Sequence, residues 1–185
     1  MDRIDKAFNS VNRADFIPEN FKKFASLNTS LPIGYGQTIS QPYVVASMLN
    51  WLDPQPGDKV LDVGSGSGWT TALLSHLVGN KGRVEAVELI PELLEFGKNN
   101  VRKTGIKNAR FHLAGKALGW PDHAPYDAIL VSATTKELPQ ELVDQLKVGG
   151  KLVIPVAYDI LEITKESTTE VSILKHPGFI FVPLI

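Results

Sequence analysis

Apolar positions along this chain fall into short runs that alternate with helix-spaced stretches. The run Val60-Leu61-Asp62-Val63 ends in Gly64-Ser65-Gly66-Ser67-Gly68, and Trp69-Thr70-Thr71-Ala72-Leu73-Leu74 follows at a spacing compatible with a helix. A strand, a glycine turn and a helix in that order predict the first unit of a doubly wound α/β sheet. After a turn at Gly79-Asn80-Lys81-Gly82, Arg83 to Glu88 predicts the second strand. Pro91 then opens a helix over Glu92 to Lys103 that stops at Gly105. Ala109 to Leu113 predicts a third strand, and Tyr126 to Val131 a fourth, apolar enough to be central in a parallel sheet. Pro139 to Leu146 reads as a short helix ended by Gly149-Gly150, and Lys151 to Pro155 as the fifth strand.

Both ends of the chain break this rhythm. Beyond the fifth strand, Ile160 to Thr164, Val171 to Leu174 and Phe179 to Val182 are strand-like with no helix between them, which predicts an antiparallel extension at a sheet edge. Before the first strand, Asp2 to Phe24 mixes charges with Ile4, Phe8, Val11, Phe16, Ile17, Phe21 and Phe24. Short helices with a turn near Pro18 fit that mixture, and the aromatics need a surface to bury against. Leu31 to Ser40 is a loop or short extended segment, punctuated by Pro32, Gly34 and Gly36. Val44, Val45, Met48, Leu49 and Leu52 repeat at helical spacing, so Ser40 reads as an N-cap with Pro42 in the first turn. With no repeat, low-complexity tract or linker, one domain is expected over residues 1–185. Its parts would be a helical cover at 1–30, a core at 31–155 and a strand extension at 156–185.

Composition narrows the function classes. At 185 residues, 43% hydrophobic and 21% charged, the chain can bury a sizeable core. A net charge of −1 gives no electrostatic footprint for nucleic acid. No apolar run is long enough to span a bilayer, and the start Met1-Asp2-Arg3-Ile4-Asp5-Lys6 lacks the apolar core of a signal peptide, so a cytoplasmic protein without a membrane partner is expected. Cysteine is absent, which excludes disulfides and thiolate chemistry. His76, His112, His123 and His176 are scattered without ligand spacing, and no metal is expected. A nucleophile elbow would need serine where Gly66 stands, and a P-loop would need lysine where Trp69 follows Gly68.

The remaining chemistry lies at the strand ends. The spacing G-x-G-x-G brings the third glycine one residue too early for the dinucleotide fingerprint, and Asp62 adds a carboxylate just before the turn. A carboxylate there suits a cationic ligand better than a pyrophosphate, so the stretch reads as a loop for S-adenosylmethionine. A plain βα turn without a ligand is the alternative. Glu88 closes the second strand about 20 residues beyond the turn, where nucleotide-binding sheets place the acid that holds ribose hydroxyls.

With these segments in hand, the chain resembles the protein-L-isoaspartate (D-aspartate) O-methyltransferase family. The resemblance is carried by Leu31-Pro32-Ile33-Gly34-Tyr35-Gly36-Gln37-Thr38-Ile39-Ser40-Gln41-Pro42, by the glycine turn, by Gly119-Trp120 and Ala124-Pro125-Tyr126-Asp127, and by Gln145 to Val156 and Val182-Pro183-Leu184. It implies a Rossmann-like class I S-adenosylmethionine-dependent methyltransferase sheet, and transfer of a methyl group to the carboxylate of isoaspartyl residues in damaged peptides and proteins. It implies Ser40 as the active-site residue, Gln37, Thr38 and Ile39 beside the cofactor, and Gly64, Ser65, Gly66, Ser67, Glu88 and Leu89 around its methionine and ribose. Gly115 and Lys116 fall where the family carries Asp-Gly near the adenine, so the acid expected there is missing. Ala25-Ser26-Leu27-Asn28 departs likewise from the family's Ala-Tyr-x-Asp. The departures leave room for a relative that binds the cofactor without transferring methyl, or for another acceptor.

Overall fold

In the computed structural model, residues 2–184 are described. The N-terminal segment forms helix α1 (Arg3–Ser10) and two 3-10 turns, Arg13–Phe16 and Glu19–Phe24. Asp2 and Asp5 close a capping box on α1, each side chain taking the other's backbone N–H. Phe16 and Ile17 are buried, and the Phe8 ring meets Trp69 edge-on at 5.5 Å, so the cover packs on the same core as the sheet.

A hairpin follows, β1 (Leu31–Gly34) and β2 (Gln37–Ile39), and then α2 (Pro42–Leu52). The alternating parallel part comprises β3 (Lys59–Val63), α3 (Trp69–Val78), β4 (Arg83–Glu88), α4 (Pro91–Lys103), β5 (Ala109–Leu113), β6 (Tyr126–Val131), α5 (Gln140–Asp144) and β7 (Leu146–Val156). Strands β8 (Asp159–Lys165) and β9 (Val171–Pro177) complete the seven-stranded sheet, in the order β5-β4-β3-β6-β7-β8-β9. The first five are parallel and the last two antiparallel. The antiparallel extension expected from the sequence is therefore present.

Each strand sends alternate residues to opposite faces. Val60, Val84, Ala128, Leu130 and Val153 meet Leu49, Leu73, Leu74, Leu93 and Val101 on the face that carries α1 to α4. Leu61, Val63, Ile129, Val131 and Leu152 meet Leu142, Val143 and Leu146 on the other, where the five-residue α5 is the only α-helix among the described residues. The crossover from β5 to β6 carries just a 3-10 turn, Pro121–His123, and here Trp120 and Leu118 pack on the sheet instead of a helix.

Four expectations are corrected. Phe179 to Val182 is not a strand; that segment turns back toward β6, where Thr134 N donates to Val182 O (2.8 Å) and Leu184 N to Thr134 O (2.8 Å). The helix expected to run to Leu146 ends at Asp144, and Gly149-Gly150 forms an irregularity inside β7 rather than a helix end. A Cβ on Gly150 would lie 2.9 Å from Asp127 O, so only glycine fits where the strand swings past β6. Ser40 is not the cap of α2: Gln41 takes that position and supplies no side-chain bond. Finally, the histidines do not stay scattered, because His112 and His123 converge on Glu85. No described helix is long and apolar enough to cross a membrane.

Candidate active site

Sheet order reverses between β3 and β6, and the crevice beyond their carboxyl ends holds a cavity of about 240 Å³. Its floor is the glycine turn, held by its neighbours in three ways. Gly64 N and Ser65 N donate to Val87 O (2.9 and 3.1 Å). Gly66 N donates to Glu88 Oε2 (2.8 Å), while Glu88 Oε1 accepts from Leu89 N and Ile90 N (2.9 and 3.0 Å). One carboxylate therefore ties the glycine turn to the β4–α4 loop, and Oε2 keeps acceptor capacity for a ligand hydroxyl. From below, α4 seats the turn: a Cβ on Gly97 would stand 2.6 Å from Gly66 O, and Asn100 Nδ2 donates to Ser67 O (3.1 Å).

Asp62 is where prediction and structure part. It does not line the cavity but lies fully buried beneath the turn, its Oδ2 accepting from Thr71 Oγ1 (2.6 Å). Burial pushes its carboxyl up to about 7, against the Thr71 hydrogen bond, and the nearby Glu88 adds to the rise. Its Oδ1 has no hydrogen-bond partner among the described residues. Strand alternation is the reason: Asp62 points with Val60 to the helix-covered face instead of forward into the crevice.

The hairpin supplies the second wall. Gln37, Thr38, Ile39 and Ser40 all line the cavity, together with Ile33. Arg13, 7% exposed, fixes this wall through four carbonyls: Nη1 donates to Ala25 O and Leu27 O (3.0 and 3.2 Å), and Nη2 to Thr29 O and Ser40 O (2.7 and 3.1 Å). Burial draws this guanidinium down to about 10, so it keeps its charge at neutral pH. The cap expected of Ser40 comes instead from Asn28, whose Oδ1 accepts from Tyr43 N (3.0 Å) in the first turn of α2. The Ser40 hydroxyl is thus left to the cavity, held in place through its backbone.

Leu89, Gly115 and Lys116 also line the cavity, as do Gly64, Ser65, Gly66, Ser67 and Glu88. Every predicted site residue except Asp62 is brought together here. Ser65 lines the cavity, and its Oγ is buried with no partner among the described residues. Sequence reasoning missed Arg13, Asn28, Asn100, Ser132 and the closing segment Val182-Pro183-Leu184 as site components. Val182-Pro183-Leu184 stood among the segments that carry the resemblance, and Gly97, which seats the turn, had a local signal, since a lone glycine inside a helical pattern usually marks close packing.

A parallel sheet in this strand order, a glycine turn at its reversal point and an acid ending the next strand define a class I S-adenosylmethionine-dependent methyltransferase. The chain belongs to the Protein-L-isoaspartate(D-aspartate) O-methyltransferase family, whose model it matches over residues 1–185. It is 44% identical to a protein-L-isoaspartate O-methyltransferase of Pyrococcus horikoshii over 100% of this chain and 85% of that one. A Methanopyrus kandleri protein of the same name is 45% identical, with 99% and 83% covered. Among solved structures, a Plasmodium falciparum protein assigned to this activity, in complex with S-adenosyl-L-homocysteine, superposes with a TM-score of 0.87 at 28% identity, over 100% of this chain and 91% of that one.

Proposed function

We propose that this chain uses S-adenosylmethionine to methylate the carboxylate of isoaspartyl residues in peptides and proteins. The observation that carries this reading is the Ser40 hydroxyl. It is released from capping by Asn28, anchored through its carbonyl by Arg13, and set in the cavity wall with the glycine turn.

The lining fits the cofactor. Glu88 Oε2 retains an acceptor site suited to a ribose hydroxyl, and Gly66 presents bare backbone where a Cβ would already touch Ile33 Cδ1 at 3.1 Å. When bound, S-adenosylmethionine supplies a methyl group already activated by its sulfonium. The accepting carboxylate is ionised at neutral pH, so the protein needs no strong base. Its task is placement and exclusion of water. Ser40 donates a hydrogen bond that orients the carboxylate, and the Arg13 clamp holds Ser40 still. Ile33, Ile39, Trp69 and Leu184 give the cavity apolar surface from which water is displaced.

One specific observation favours a second reading, cofactor binding without transfer. Gly115 offers no side chain where the family pattern has an acid toward the adenine. Incubation with radiolabelled S-adenosylmethionine and an isoaspartyl peptide, beside its aspartyl twin, decides between them. Base-labile label on the isoaspartyl peptide alone is expected. Binding without label in either peptide would establish the second reading.

A further inference from the structure

On the face of the sheet opposite α1 to α4, Glu85 of β4, His112 of β5 and His123 of the Pro121–His123 turn converge. Glu85 is fully buried, with the His112 side chain 16% and the His123 side chain 34% exposed. His112 Nε2 stands 2.7 Å from Glu85 Oε2 in a good hydrogen bond. A second imidazole faces the same carboxylate. His123 Nδ1 lies 3.1 Å from Glu85 Oε1, within ion-pair distance, and both atoms are buried. Two imidazole nitrogens thus converge on the two oxygens of one buried carboxylate.

We propose that Glu85, His112 and His123 form a site for a zinc-like divalent transition-metal ion, one that clamps the loop bearing the adenine side of the cavity. Two imidazoles and a carboxylate are a donor set that such ions take, with a water in the fourth position. One ligand atom from each residue can be chosen so that all three lie within 4.8 Å of one another. Tetrahedral coordination at about 2.0–2.1 Å per bond needs about 3.3 Å between ligands, so closure requires side-chain adjustment of about 1.5 Å at most. The ion takes the place of the hydrogen between Oε2 and His112 Nε2, whose ring then carries its proton on Nδ1. His123 ligates through Nδ1 and keeps its proton on Nε2. Trp120 stacks on the His112 ring at 4.2 Å and holds its plane. Arg83 Nε, 3.7 Å from Glu85 Oε1, is the competing cation, but its side chain is half-exposed.

None of the three residues lines the cavity, so the ion would take no part in methyl transfer. Its effect follows from where the ligands sit in the chain. His112 and His123 flank the segment that contributes Ala114 to Gly119 to the cavity wall. Fixing both ends to Glu85 of β4 orders that wall.

The test uses the full chain, stripped with a chelator and titrated with zinc chloride alone. Calorimetry is expected to show one equivalent bound and thermal unfolding to shift upward, while magnesium at the same concentration shifts nothing, because hard cations want oxygen donors. His123→Ala lies in a partly exposed turn; it removes a partner of the buried Glu85 and should lower the metal-free melting temperature, so zinc binding is compared at a temperature where parent and variant are both folded. Its zinc affinity should fall by more than the roughly 10–100-fold that loss of an outer partner costs. His112→Gln should lose the site as well. His176→Ala, a histidine remote in the fold that bonds Glu162, should bind zinc as the parent does. No saturable binding by the parent, or equal affinity in the parent and a folded His123→Ala, would overturn the assignment.

Discussion

At the scale of single residues, two positions behave unlike their sequence context. Ser40 reads as a helix cap, but the cap belongs to Asn28, so the two roles can be separated by mutation. Ser40→Ala should change stability by no more than about 0.5 kcal/mol, while Asn28→Ala should cost about 1 kcal/mol through the lost cap. Denaturant titration checks both. Turnover with the isoaspartyl peptide should drop sharply in Ser40→Ala; unchanged turnover per folded molecule would remove Ser40 from the mechanism. Gly115 is the second position. Its backbone is not in the left-handed region, and a Cβ there would meet nothing within 4 Å. Gly115→Asp should therefore fold as the parent does and restore an acceptor for the adenine amino group. If that group is otherwise unpaired in the pocket, affinity for S-adenosylhomocysteine should rise by about 1–3 kcal/mol. Equal affinity by calorimetry would mean that water already bridges the gap.

Among the elements, the contact between α4 and the glycine turn shows propensity and packing in conflict. Replacing a helical glycine with alanine ordinarily gains about 1 kcal/mol. At Gly97 the new Cβ would be 2.6 Å from Gly66 O and 3.1 Å from Gly68 N, both backbone atoms with little room to yield. Overpacking of that kind costs about 1–3 kcal/mol. Gly97→Ala should thus lower the melting temperature and weaken S-adenosylhomocysteine binding together, because the helix would lift the floor of the cavity. A stabilised variant with unchanged affinity would show that the turn can slide. The hairpin obeys the same logic from the other side, since it is Arg13 that fixes Ser40 relative to the sheet.

For the molecule as a whole, Asp62 links folding to pH. Its carboxyl is raised to about 7 by burial, while the unfolded chain releases that proton near the usual carboxylate value. The native state therefore holds one proton more than the unfolded state between about pH 4 and pH 7. Stability from this group is fully present below the unfolded value and is lost as pH rises through the folded one, at up to about 1.4 kcal/mol per pH unit. Asp62→Asn keeps an acceptor for Thr71 and removes the titration. The parent should lose stability relative to Asp62→Asn between pH 5 and pH 8, by about 2–3 kcal/mol in urea unfolding. Parallel curves for the two proteins would show that Asp62 reaches water when ionised.

The alternation of apolar runs and helix-spaced stretches determined the parallel sheet, its antiparallel edge and the glycine turn, because burial on one or two faces writes its period directly into the chain. The specific text from Leu31 to Pro42 and the spacing from Gly64 to Glu88 determined most of the cavity lining, since a backbone cradle and the acid beside it are local to strand ends. What only the tertiary structure decided depends on contacts between distant segments. Asn28 takes the cap from Ser40, Arg13 reaches four carbonyls across 27 residues, and Val182 to Leu184 return to close the pocket. Asp62 turned inward because strand alternation fixes its face, and the local pattern beside the glycines did not show which face the helices would cover. His112 and His123, with no ligand spacing between them, met Glu85 because the β5–β6 crossover carries only the 3-10 turn Pro121–His123 in place of an α-helix and packs onto the sheet.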